Sequence, residues 1–88
     1  MLILETTNKF EKDYVIVKKR GKDIKKLQDI VNNLLNNKPL SEKNRLHMLS
    51  GNWNNHHECH IEPDWLLIFL KTDIAIRLVR TGTHSDLF

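Results

Sequence analysis

The sequence predicts an α+β domain, in which a pair of N-terminal helices packs on one side of a small antiparallel β-sheet in the order βααβββ. Three observations lead there. Apolar residues recur at intervals of three and four as far as Leu35, then at intervals of two beyond Pro39, so the period changes once from helix to strand. The run from Trp65 to Leu70 is apolar throughout, as in a central strand covered on both faces. The chain has 88 residues, enough for one core and a single domain over 1–88.

Leu2, Ile3 and Leu4 predict a first short strand. Asn8 followed by Glu11 has the spacing of a helix start, where a side-chain oxygen accepts an otherwise unpaired backbone N–H. Phe10, Tyr14 and Val17 then share one helical face, and Gly21, free to adopt left-handed backbone, ends the helix. From Lys22 a second helix gathers Ile24, Leu27, Ile30, Val31, Leu34 and Leu35 on one side, with Lys22, Lys25, Lys26 and Asp29 opposite. Pro39 lies beyond its end because it cannot continue the ladder. Leu40 to Asn55 is polar and reads mainly as a loop. The next strand turns Cys59 and Ile61 to the core, which puts His56, Glu58 and His60 together on the other face. Pro63-Asp64 and Thr72-Asp73 mark turns, Ile74 to Val79 the last strand, and Thr81-Gly82-Thr83 leads into a short polar tail ending at Phe88.

The net charge of +3 averages two unlike halves. Residues 1–45 hold 11 Lys+Arg against 6 Asp+Glu, whereas residues 46–88 hold 3 against 5 and all five histidines. Clustered cations suit an anionic partner, or are simply a solvated helix face, and Lys18, Lys19, Arg20, Lys22, Lys25 and Lys26 fit either description. Cys59 is the only cysteine, so no disulfide forms within the chain. The first eight residues lack a secretory pattern, and the longest apolar run is far short of the roughly 20 residues that cross a bilayer. A cytoplasmic protein without membrane contact is expected.

His47, His60, Asp64 and His84 are the titratable groups to explain, with Arg80 the nearest cation in sequence. If the last three strands pair as hairpins, a strand-end His60, a turn Asp64 and His84 come to one edge. Cleaving RNA without metal needs such a set: a base for the 2′-hydroxyl, an acid for the departing 5′-oxygen and a cation for the phosphorane. The run His56-His57-Glu58-Cys59-His60 is dense in zinc-ligand types, but strand alternation sends Cys59 the other way and there is no cysteine pair, so no metal site and no cofactor are expected. Trp65 and Phe88 have faces that stack on bases, although Trp65 opens an apolar run and reads equally as core. Trp53 reads as packing.

Lys18-Lys19-Arg20-Gly21-Lys22-Asp23, Leu49-Ser50-Gly51-Asn52-Trp53, Glu58-Cys59-His60-Ile61-Glu62-Pro63-Asp64-Trp65 and Arg80-Thr81-Gly82-Thr83-His84-Ser85-Asp86-Leu87-Phe88 follow one another at a specific spacing. On these blocks the chain resembles the YafQ family of bacterial toxins in the RelE superfamily, over essentially its full length. The resemblance implies a RelE-like fold and a ribosome-dependent mRNA endoribonuclease, the toxin of a type II toxin–antitoxin pair, which cuts the codon in the ribosomal A site by metal-independent attack of the 2′-hydroxyl. It implies a DinJ-like antitoxin as partner. By motif position it implies that His84 is the general acid, that His47, His60 and Asp64 supply base and orienting functions, and that Trp65, Arg80 and Phe88 shape the site. A relative whose catalysis has decayed, and which mainly binds antitoxin or nucleic acid, is the alternative. The chain departs from the family pattern at Leu46-His47-Met48-Leu49, where Asp-His-Pro-Leu is common, and at His56 and His57, where an aromatic and an arginine are common. A histidine contributes charge mainly below its ordinary value of about 6.5. Cleavage is therefore expected to change more steeply between about pH 6 and 8 than in relatives with arginine there; a flat rate profile would refute it.

Overall fold

The computed structural model describes residues 1–88. Five strands form one sheet in the order β1-β5-β4-β3-β2, with β1 at Ile3–Thr6, β2 at His47–Met48, β3 at His57–Glu62, β4 at Trp65–Lys71 and β5 at Ala75–Gly82. Helices α1 (Asn8–Lys19) and α2 (Ile24–Leu35) cover one face, and a four-residue helix α3 (His84–Leu87) follows β5. The α+β plan and the helical pair are as expected. Two features differ: β1 joins β5 in parallel, so the sheet is mixed, and the loop after Pro39 contributes the two-residue strand β2.

Local chemistry sets the helix ends. The α1 N-cap is Thr7 rather than Asn8: its hydroxyl accepts from Phe10 N at 3.0 Å and donates to Val79 O at 2.8 Å, which also fastens the helix to β5. Gly21 takes φ +84° after α1, as predicted, and Asp23 caps α2 by accepting from Lys25 N at 3.1 Å.

Strand β4 is apolar at every position from Trp65 to Leu70 because both its faces are covered. Trp65, Leu67 and Phe69 join Cys59, Ile76, Leu78 and the inner faces of α1 and α2. Leu66 and Ile68 point the other way and pack with Leu87, Leu49, Trp53 and Val79. Since β3 pairs with β4 with Cys59 opposite Leu67 and Glu58 opposite Ile68, Cys59 is on the helix side and Glu58 and His60 are on the open side.

One polar network runs through this core. The buried Asp13 of α1 accepts from Arg80 Nε at 2.6 Å, from a second guanidinium nitrogen at 3.1 Å and from Thr81 N at 3.1 Å. Thr81 donates its hydroxyl to Leu66 O at 2.7 Å and accepts from Trp65 Nε1 at 2.9 Å, so α1, β5 and β4 share one chain of bonds. Two exposed cross-links add to it: Arg20 to Asp86, and Lys22 and Lys26 together to Glu62.

Removing one partner of a desolvated pair strands the other, so Asp13→Ala is expected to cost about 3 kcal/mol, read as a lower urea midpoint with an unchanged slope. Equal midpoints for parent and variant would refute that role. Bonds from Arg20 to Asp86, and from Lys26 and Lys22 to Glu62, hold both carboxyls below their ordinary values of 3.8 and 4.5. A carboxyl lowered by folding contributes stability that is complete above its unfolded value and lost as pH falls through its folded one. Thermal stability should therefore hold above about pH 5 and fall below it, less steeply in Asp86→Asn.

Candidate active site

The open face of the sheet gathers the histidines, and strand register explains how. His47 on β2 lies directly across from Glu58 on β3. Arg45 takes left-handed backbone at φ +48° just before β2, and its carbonyl accepts from His47 Nδ1 at 2.7 Å, which turns the His47 Nε2 edge toward Glu58 at 3.4 Å. His60, two residues along the same face of β3, brings its Nε2 to 3.5 Å from the same Glu58 oxygen while its Nδ1 donates to Pro63 O at 3.3 Å. Glu58 is 5% exposed and bridges two imidazole edges. Asn44, itself buried, donates to His60 O at 2.8 Å and ties the loop to this strand.

His84 arrives from the neighbouring strand. His60 and Gly82 both pair with Leu66, so the residues just beyond Gly82 fall beside His60, and the two imidazoles meet edge to face with centroids 5.7 Å apart. Asp64, in the β3–β4 turn, accepts from His84 N at 2.9 Å and from His84 Nδ1 at 2.5 Å through one oxygen. These bonds, the backbone one foremost, hold the Asp64 carboxyl below its ordinary value. A carboxylate at Nδ1 assigns the proton there and leaves Nε2 as the free edge of the half-exposed His84.

His47, His60, Asp64 and His84 are thus brought together. Phe88 lies beyond them, largely exposed, with its ring 6.4 Å from Trp53, which meets His56 edge-on at 5.3 Å. Trp65 and Arg80 are not on this surface in the expected way. Trp65 is fully buried on the helix side, so no base reaches its face, and the Arg80 guanidinium is committed to Asp13. Both underlie the site and do not line it. The expectation at His56 and His57 narrows in the same way: His57 stacks on Phe69 on the helix side, where burial and Lys71 lower its basicity, so it brings no charge to the open face at neutral pH.

The basic run also divides. Lys22 and Lys26 share Glu62, Lys25 faces Asp29 at 3.5 Å, and Arg20 grips Asp86, whereas Lys18 and Lys19 make no ion pair. Cys59 is buried with its thiol pushed up to about 12, and no three His, Cys, Asp or Glu side chains converge in a metal-binding arrangement. Sequence reasoning did not assign Glu58 to the site. Its signal was present in the alternation that placed it beside His60, but its burial and its second contact depend on β2, a strand too short to leave a pattern.

Residues 2–88 match a family model described as the bacterial toxin of a type II toxin–antitoxin system, YafQ. The mRNA interferase toxin YafQ of Escherichia coli (strain K12) is 41% identical over 86 residues, covering 97% of this chain and 94% of that protein. The crystal structure of YafQ from E. coli strain BL21(DE3) superposes with a TM-score of 0.94 at 38% identity, covering 100% of this chain and 99% of that one. YafQ in the E. coli DinJ–YafQ toxin–antitoxin complex gives 0.91 at 40% identity, covering 99% and 97%. With a full-length family match, this identity and a common fold, the chain belongs to the YafQ family of bacterial type II toxin–antitoxin toxins.

Proposed function

We propose that this protein is an mRNA interferase, the toxin of a type II pair, which cuts mRNA on the ribosome and is neutralised by a DinJ-like antitoxin. The observation that carries the reading is the pairing of Asp64 with His84 beside a second imidazole on one open face. In the reaction, the 2′-oxygen attacks the adjacent phosphorus as its proton leaves to a base, and the bond from phosphorus to the 5′-oxygen breaks as that oxygen is protonated. The products are a 2′,3′-cyclic phosphate and a free 5′-hydroxyl.

His84 is the acid: Asp64 fixes its ring through Nδ1 and leaves Nε2 to give the proton. The base comes from the set of His47, Glu58 and His60, a relay in which one carboxylate faces both rings. Which group of the relay holds the proton is a property of the set. Since Arg80 is turned to Asp13, N–H donors of the open-face imidazoles meet the charge that builds on the phosphorane. The exposed Phe88, with the partly buried Trp53 beside it, offers an aromatic edge for a neighbouring base, and Lys18 and Lys19 track ribosomal phosphate, so salt weakens docking. No helix of the fold is long and apolar enough to cross a membrane.

Primer extension on mRNA with and without ribosomes tests the reading. His84→Ala should lower cleavage by roughly a hundred- to ten-thousandfold and Glu58→Gln by roughly a hundredfold, with cuts only where ribosomes are present. Ribosome-dependent cuts that persist in His84→Ala would refute the acid assignment, and absence of cuts in the parent would favour a decayed toxin.

A further inference from the structure

We propose that Arg20 and Asp86 are a positioning pair, through which the end of α1 holds the turn that carries His84 in its catalytic orientation. The inference rests on the reading of His84 as the acid. A helix of four residues has almost no stability of its own, since the first hydrogen-bonded turn costs more backbone freedom than it returns. Something outside α3 must therefore hold it, and the structure offers few candidates.

Leu87 is buried against Leu66 and Ile68, which anchors one side of the turn without fixing its rotation. Asp64 holds the His84 ring from the β3–β4 turn, and the orientation of α3 itself comes from Asp86. Its Oδ2 accepts from Thr83 N at 2.9 Å, while Thr83 Oγ1 accepts from Asp86 N at 3.2 Å, a reciprocal cap around His84. The same carboxylate takes two bonds from Arg20, one at 2.6 Å to Oδ2 and one at 3.2 Å to Oδ1. The paired, planar geometry fixes direction as well as distance. Gly82 completes the fit: a Cβ there would lie 2.9 Å from Asp86 Oδ2, so only glycine lets the carboxylate fold back over the strand end.

Arg20 is itself held. It is the C-cap residue of α1, its N–H donating to Ile16 O, and α1 is locked to β5 by Asp13. The guanidinium thus connects the end of a twelve-residue helix to a four-residue one 66 positions away. Two of the five N–H donors of Arg20 are committed to Asp86. A positioning role accounts for the bidentate geometry, the cap and the glycine together.

The test is cleavage on programmed ribosomes by the full chain, with kcat and KM measured separately, alongside backbone amide exchange at residues 84–88. Arg20→Ala and Asp86→Asn should each lower kcat about tenfold with KM within about twofold of the parent, because a misplaced acid slows chemistry without weakening binding. The double variant should be no slower than either single one, Arg20→Lys should recover part of the loss, and exchange should quicken at 84–88 while β4 stays protected. A raised KM with kcat intact would make Arg20 an RNA contact and overturn the proposal, as would unchanged kcat or unchanged exchange. If Arg20→Ala fails to fold, Arg20→Lys and Asp86→Asn decide by the same criteria. His84→Ala separates the two readings: parent-like cleavage in that variant removes the acid assignment, and amide exchange in Arg20→Ala still judges whether the pair holds the turn.

Discussion

A carboxylate on the first helix is the point on which the arrangement of this protein turns. Asp13 is buried, and burying a charge is unfavourable unless its lone pairs are met. Arg80 and the Thr81 backbone meet them, and Thr81 passes the connection to Leu66 and to the Trp65 indole. The network lies immediately before Gly82, where β5 ends, so the direction in which the chain leaves the sheet toward His84 is set there. Trp65 and Arg80 bear on the open face through this network, from the layer beneath it.

The second constraint is parity. Along β3, odd positions such as Cys59 enter the core under the helices, and even positions such as Glu58 and His60 face outward. A slip of one residue against β4 would drive Glu58 into the core and bring Cys59 out. The apolar demand of the helix side therefore enforces the polar arrangement of the other side. His57 illustrates this, since its position in the strand commits it to stack on Phe69, away from the histidines beside it in sequence.

Much of this was legible in the chain. The period change after Pro39, the two helix faces and the alternation around Cys59 are local patterns, and each produced the element it announced. His47, His60, Asp64 and His84 came from motif spacing, and the structure does bring them together. What stayed illegible was non-local. The parallel pairing of β1 with β5 joins residues 72 apart, for which no local pattern exists. Asp13 carries no local signal because its partner lies 67 residues on. The two residues of β2 are too few to show a period, so Glu58 was left without its second histidine. The cations of the first half misled in aggregate: a count of lysines and arginines does not say which of them carboxylates elsewhere in the fold have already claimed.

The pairing of the first strand with the last has a kinetic side. The bonds from Thr7 to Val79, from Asp13 to Arg80 and from Arg20 to Asp86 each close a loop of most of the chain. Closing such loops is entropically costly until the contacts they permit are made, which slows folding and makes it cooperative. The same closures orient β5 and the turn after it, on which His84 sits. The histidine cluster is therefore held by contacts that span most of the chain, and the hairpins alone do not assemble it.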